Sequence, residues 1–200
     1  MKNIIFDLGG VLIDWNPRIP YRNIFKTEAE IDTFFQNICT PDWNEEQDAG
    51  RSLQEATETL VAQHPQWEKE IKVYYGQWQE MLVGPIPETV QLFQKLKSLN
   101  QYKFYALTNW SAETFPVALA RYDFLHWFDG RLVSGEERMR KPAPEFYQLL
   151  LDRFQIDPSQ SIFIDDNLRN IKADEALGVK SIHFQSAKQL EKELSHLNIL

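Results

Sequence analysis

Five short apolar runs punctuate the chain, and each gives way to polar residues: Asn3-Ile4-Ile5-Phe6, Lys103-Phe104-Tyr105-Ala106-Leu107, Gly130-Arg131-Leu132-Val133-Ser134, Ser161-Ile162-Phe163-Ile164 and Val179 to Phe184. Short, nearly continuous apolar runs are the pattern of strands buried on both faces, as in a parallel sheet. Stretches with apolar residues at helical spacing separate them. Val90, Leu92, Phe93, Leu96 and Leu99 follow Pro87, which suits the first position of a helix, and Asn100-Gln101 supplies a stop. Ala112 to Tyr122, Glu145 to Phe154, a segment through Ile171, Ala173 and Ala176 that stops at Gly178, and Lys188 to Leu197 read as further helices. Strands alternating with helices predict an α/β fold, a doubly wound, Rossmann-like parallel sheet of about five strands.

One stretch breaks the alternation. From about Arg22 to Leu82 nothing reads as a strand. Thr27-Glu28-Ala29-Glu30 has the spacing of a capping box, and Ile31, Phe34, Phe35 and Ile38 follow at helical intervals. Helices also fit Ser52 to Ala62 and Trp67 to Met81, and Gly84-Pro85-Ile86-Pro87 marks the return. The expected organisation is a core domain of residues 1–16 and 84–200 with an all-helical cap, residues 17–83, inserted into it. Aromatics crowd the insertion (Phe34, Phe35, Trp43, Trp67, Tyr74, Tyr75, Trp78), and packing of the small bundle explains most of them. Trp15, Trp43, Trp110 and Arg18 are candidates for lining a specificity pocket.

Composition excludes several classes of function. A chain of 200 residues holds one sizeable core plus a subdomain, whereas two comparable domains would be cramped. No apolar run reaches the roughly 18 residues of a membrane span. Met1-Lys2-Asn3 leads into the first strand without the basic and apolar regions of a secretory signal, so the cytoplasm is the expected compartment. The single cysteine, Cys39, allows no internal disulfide, in keeping with a reducing environment, and reads as a packing residue. A net charge of -8 argues against nucleic acid or an anionic membrane as partner. His64, His126, His183 and His196 lack metal-ligand spacing, so histidine-bound zinc is not expected.

The chemistry sits where the strands end. A parallel sheet brings the C-terminal ends of its strands to one edge, and ligands of open α/β sheets bind there. Asp7, followed by the permissive Gly9 and Gly10, ends the first run; Thr108 and Asn109 end the second; Asp165 and Asp166 end the fourth; Lys141 lies in the charged loop after the third. Singly each has an ordinary explanation, since Thr, Asn and Asp cap helices and most lysines are solvated. Jointly they form a carboxylate, a hydroxyl and amide, a cation and a paired acid in parallel-strand order. Carboxylates this close need a cation, and hard oxygen ligands suit Mg²⁺, held by Asp7, Asp166 and a backbone carbonyl near Gly9, with Asp165 in the same acidic set. Lys141 and the Thr108 hydroxyl would hold phosphoryl oxygens while Asp7 attacks, which is covalent, aspartate-based phosphoryl transfer.

Phe6-Asp7-Leu8-Gly9-Gly10-Val11-Leu12, Leu107-Thr108-Asn109, Arg140-Lys141-Pro142 and Ile164-Asp165-Asp166-Asn167 together resemble the four motifs of the haloacid dehalogenase-like hydrolase superfamily. The opening, Arg-Lys-Pro and Asp-Asp-Asn segments are most similar to the bacterial subgroup that includes an α-D-glucose-1-phosphate phosphatase. The resemblance implies a cytoplasmic Mg²⁺-dependent phosphatase of a small phosphorylated metabolite, a sugar phosphate by subgroup. By it Asp7 is nucleophile and metal ligand, Thr108 and Lys141 bind phosphate with Asn109 counted beside them as substrate-binding, and Asp166 binds the metal with Asp165 beside it. The chain departs from most phosphatases of the superfamily at Gly9, where those have a general acid/base Asp, although the glucose-1-phosphate phosphatase subgroup also has Gly there. Asp14 is a candidate substitute. The departure motivates an alternative, a catalytically weak protein that binds a phospholigand or partner. A 2-haloacid dehalogenase also lacks the second Asp, but carries Ser-Asn where this chain has Asp165-Asp166.

Overall fold

The computed structural model describes residues 1–200. In chain order the elements are β1 (Asn3–Phe6), β2 (Ile13–Trp15), α1 (Glu28–Asn37), α2 (Pro41–Asp48), α3 (Leu53–Gln63), α4 (Glu68–Gly76), α5 (Trp78–Met81), β3 (Leu82–Pro85) and α6 (Pro87–Ser98). There follow β4 (Lys103–Thr108), α7 (Phe115–Arg121), β5 (Gly130–Val133), α8 (Ser134–Glu137), α9 (Pro144–Phe154), β6 (Ser161–Asp165), α10 (Leu168–Glu175), β7 (Lys180–His183) and α11 (Ala187–His196).

Five strands form one parallel sheet in the order β5-β4-β1-β6-β7. This is the expected doubly wound sheet, and β1 lies at its centre, where strand order reverses and a crevice opens. Alternation along the strands explains why they are apolar throughout: Ile4 and Phe6 join a core on one face, while Ile5 joins a second core on the other. Phe104 and Ala106 against Tyr105 and Leu107, and Ile162 and Ile164 against Phe163, divide the same way. The larger core continues through Leu12, Ile13, Met81 and Leu82 into the helical insertion, reaching Tyr21, Phe34 and Tyr74.

Local signals place most helices. Thr27 makes the expected capping box: its hydroxyl accepts from Glu30 N at 3.2 Å while the Glu30 carboxylate accepts from Thr27 N at 3.0 Å. Pro87 occupies the first turn of α6.

Four details differ from expectation. β2 and β3 pair antiparallel as a stem where the chain leaves and re-enters the sheet region, although Leu82 borders the segment expected to hold no strand. The single helix expected over Trp67 to Met81 is instead a 3-10 turn at Pro65–Trp67, then α4 and α5, parted where Gly76 and Gln77 interrupt the helix. α7 starts at Phe115, not Ala112, because Pro116 has no N–H to give and settles into a first turn. α2 was not anticipated, since its apolar content is almost confined to Trp43 and no amphipathic stripe marks it. Its start was nonetheless written in the sequence, as Thr40 caps Trp43 N at 3.1 Å and Pro41 opens the helix.

Candidate active site

The strand-end residues converge as their positions require. β1 hands over directly to Asp7, whose N–H still bonds Ile164 O across the sheet at 2.8 Å, while its carboxylate accepts from Leu8 N at 2.7 Å. Its other oxygen lies 3.0 Å from Lys141 Nζ, and the same ammonium lies 2.6 Å from Asp165 Oδ2. Lys141 and Asp165 are completely buried. Such a pair is tolerated only when its remaining hydrogen-bonding capacity is met. Asp165 meets it fully: Asn170 Nδ2 donates to both its oxygens, at 3.0 and 3.1 Å, and Asn167 N donates to Oδ1 at 2.7 Å.

Asn109, expected to bind substrate, uses its side-chain amide to clasp the Lys141 backbone. Its Oδ1 accepts from Lys141 N at 2.8 Å and its Nδ2 donates to Lys141 O at 2.9 Å, so the second strand end sets the position of the cation. Thr108, one residue earlier, is buried, and its hydroxyl has no protein partner. A buried hydroxyl without a partner costs on the order of 1–3 kcal/mol, so a ligand that supplies one gains by binding there.

Ligand oxygens of Asp7, Asp165 and Asp166 lie within 4.8 Å of one another. Burial pushes the Asp7 carboxyl up to about 7, with Lys141 opposing and Asp165 and Asp166 adding to the rise. Burial and Asp165 likewise raise Asp166. For Lys141, burial works against the ammonium, but Asp165 and Asp7 outweigh it and its pKa is raised. One ammonium among three carboxylates leaves a deficit of positive charge that a divalent cation fits. Gly10 helps to shape the place, since its φ of 72° favours glycine and a Cβ there would overlap the Asp166 carboxylate. At Gly9 a Cβ would meet nothing within 4 Å, so the carboxyl absent from this position is not excluded by space.

A cavity of about 400 Å³ opens over these groups and is roofed by the insertion. Asp7, Gly9, Asn109, Lys141 and Asp166 line its floor, and Trp15, Phe35, Tyr74, Tyr75, Trp78 and Trp110 line its walls. Of the residues expected at a pocket, Trp15 and Trp110 are there, whereas Trp43 packs behind the wall against Tyr74 and Tyr75, with ring centroids at 5.1 and 5.4 Å. Arg18 is committed elsewhere, 2.6 Å from both Glu28 and Asp32. Asp14, the candidate replacement acid, is exposed on β2 and does not line the cavity. Sequence reasoning missed Asp48 and Glu45, both on α2 and both in the lining. Glu45 ties the insertion to the sheet domain through Arg169 at 2.9 Å and Arg140 at 3.5 Å.

Fold and site together define an α/β enzyme framework, in which a carboxylate at the central strand end faces a buried lysine and a paired acid beneath a helical roof. The chain belongs to the haloacid dehalogenase-like hydrolase family, whose model matches residues 1–178. It is 29% identical to a sesquiterpene phosphatase of Aspergillus oryzae over 98% of this chain and 96% of that protein. It is 21% identical to a D-ribitol-5-phosphate phosphatase of Bacteroides thetaiotaomicron over 98% and 97% of the two chains. A haloacid dehalogenase family enzyme of the same bacterium, solved with magnesium and inorganic phosphate, superposes with a TM-score of 0.70 at 26% identity, covering 92% and 94%. No helix is long and apolar enough to cross a membrane.

Proposed function

We propose that the protein is a Mg²⁺-dependent phosphatase acting on a small phosphorylated metabolite through an aspartyl-phosphate on Asp7. The observation that carries this reading is the arrangement at the sheet edge: Asp7 bonded to a buried Lys141, Asp166 within ligand reach, and an unpartnered Thr108 hydroxyl alongside. An Asp7 oxygen attacks phosphorus, the bond from phosphorus to the substrate's alcohol oxygen breaks, and the alcohol leaves with a proton. Water then attacks phosphorus, the Asp7–phosphorus bond breaks, and inorganic phosphate departs. Lys141 and the Thr108 hydroxyl hold phosphoryl oxygens, and Lys141 neutralises charge as it builds in each transition state. Asp165 anchors Lys141, and Asn109 fixes the Lys141 backbone. Asp7, Asp166 and the Gly9 carbonyl, with Asp165 in the same cluster, are the groups that would hold Mg²⁺, which when bound offsets the charge of the carboxylates and the phosphoryl group.

Relatives at a sugar-alcohol phosphate and at a terpenoid phosphate support the activity and leave the organic half of the substrate open between them. The lone buried cysteine fits the cytoplasm as the compartment we propose. The test is phosphate release from acetyl phosphate, p-nitrophenyl phosphate and a set of metabolite phosphates, with Mg²⁺ and again with EDTA. Turnover that needs Mg²⁺ is expected. Absence of release from every compound, alongside measurable phosphate binding, would favour the binding-protein alternative that Gly9 motivates.

A further inference from the structure

We infer that the substrate's alcohol is a hydrocarbon-rich one carrying a single phosphate, not a sugar or a second anionic group; this rests on the phosphatase reading above. The walls of the cavity make the case. Trp15, Phe35, Tyr74, Trp78 and Trp110 present ring surface, and Pro17, Cys39 and Pro41 fill the gaps between them. Two of the polar groups among them are already paired. Tyr75 Oη donates to Asn44 Oδ1 at 3.0 Å and accepts from Gln47 at 2.7 Å, and Trp110 Nε1 donates to Thr114 Oγ1 at 3.1 Å. The Arg169 guanidinium that reaches the rim is paired with Glu45. A sugar's hydroxyls would leave water for a wall whose surface is mostly apolar and offers few groups to replace it, and a second phosphate would find no uncommitted cation outside the catalytic set. A hydrocarbon chain gains from the same wall, and the modest cavity suits a small ligand.

The experiment measures kcat/KM with Mg²⁺ for n-octyl phosphate, glucose 1-phosphate and ribitol 5-phosphate, with acetyl phosphate as a substrate that has almost no organic part. An apolar pocket discriminates by roughly 10–200-fold per group, so n-octyl phosphate should exceed both sugar phosphates by at least about 10-fold. Release from acetyl phosphate with equal or better turnover of a sugar phosphate would overturn this inference and leave the phosphatase reading standing. No release from any of the four would overturn both.

A separate observation concerns the proton. The leaving alcohol needs an acid, position 9 carries none, and of the two carboxyls that line the cavity outside the charge cluster, Glu45 is paired with Arg169 and Arg140, which leaves Asp48. The geometry points to Asp48, at the end of α2 in the roof, as the general acid that protonates the leaving oxygen. Its backbone carbonyl is held by the Ser134 hydroxyl from the sheet domain, so the roof residue is moored beside Trp110. Burial pushes Asp48 up to about 7, with Glu45 raising it further, Arg140 opposing and the Ser111 backbone N–H also lowering it. Asn44 Nδ2 approaches its carboxylate at 3.4 Å, and Tyr74 and Tyr75 are the other titratable groups near it. A carboxyl near 7 keeps a proton to give at neutral pH.

Asp48→Asn removes the proton and keeps the shape. Its kcat on n-octyl phosphate should fall about 10²–10⁴-fold, the usual worth of acid catalysis, and far less on p-nitrophenyl phosphate, whose leaving group needs no proton. Equal losses on both would make Asp48 a merely structural residue and overturn the assignment. The unaltered protein offers a second reading: kcat on n-octyl phosphate should decline above about pH 7 while kcat on p-nitrophenyl phosphate does not, and parallel profiles would overturn it equally.

Discussion

The sheet edge and the helical roof meet at one cavity, yet they are built on opposite principles. At the edge, each strand delivers a polar residue immediately after its last buried apolar one, and the backbone of the sheet fixes where it lands. The resulting charges are buried and held by named partners, as the 2.6 Å Lys141–Asp165 pair with Asn170 and Asn167 shows. The roof instead holds its place by aromatic packing: Tyr21, Phe25, Phe34, Phe35 and Trp67 meet in successive pairs with ring centroids no more than 6.1 Å apart, most of them tilted or edge-on. Rigid electrostatics suits a step common to all substrates, and adaptable apolar surface suits the part that differs between them.

The largest effect should follow from breaking the edge at its nucleophile. Asp7→Asn keeps the size of the side chain and removes the attacking oxygen, so phosphate release should fall by at least about 10⁴-fold, as when a covalent nucleophile is lost elsewhere. Phosphate release measured over hours would register any residue of activity, and a loss below tenfold would mean that Asp7 is not the nucleophile. Asp165→Asn comes next. It turns an acceptor into a group with an amide N–H facing Lys141 Nζ and Asn170 Nδ2, leaving a buried ammonium short of a counter-charge. Breaking a buried pair in this way costs about 3–5 kcal/mol, which chemical denaturation would show as a lower midpoint with an unchanged slope.

The same contrast explains what the sequence made legible. The sheet, its five strands and the strand-end residues Asp7, Thr108, Asp165 and Asp166 could be read because the information is local, an apolar run followed by chemistry, whereas Lys141 lies in the loop beyond α8 and was assigned to the same edge from the topology. Asn109 was read as a substrate ligand because its position is local, while its partner, Lys141, lies 32 residues away and only the fold brings them together. The wall of the cavity was less legible still. Trp43 and Trp78 are equally aromatic in sequence, but one packs behind the wall and the other lines it, a difference set by how α2, α4 and α5 pack. Asp48 and Glu45 went unnoticed because α2 lacks an apolar stripe, even though Thr40 and Pro41 mark its start.

A smaller effect, confined to the roof, comes from Phe34→Leu. Phe34 is 2% exposed and packs against Tyr21 at 5.1 Å and Trp67 at 5.6 Å. Its loss removes aromatic contacts worth about 0.5–1.5 kcal/mol each and leaves the sheet edge untouched. Global stability should fall by roughly 1–3 kcal/mol. Hydrogen exchange should quicken first in α1 and α4, with β1 and β6 still protected; simultaneous loss of protection in both regions would mean that the continuous core makes roof and sheet one cooperative unit.

The smallest effect separates the buried carboxyls of the sheet domain from those of the roof. Asp174 on α10 lies behind the site, 2% exposed, where it accepts from Ser181 Oγ at 3.0 Å. Burial pushes it up to about 7, with the Ser181 hydrogen bond opposing. A carboxyl raised on folding binds its proton more tightly in the native state, so its contribution to stability is present below the unfolded value near 4 and is lost as pH rises through about 7. Stability in EDTA should therefore decline between about pH 4 and 7, and Asp174→Asn should flatten the decline by on the order of 1 kcal/mol. Asp48→Asn should flatten it too, since burial raises that group to about 7 as well. Only the Asp48 change should also alter the pH profile of turnover, because Asp174 has no face on the cavity. Thermal midpoints across that range, set beside kcat profiles for the same two variants, would show whether the carboxyl in the roof takes part in the chemistry or, like Asp174, bears only on the fold.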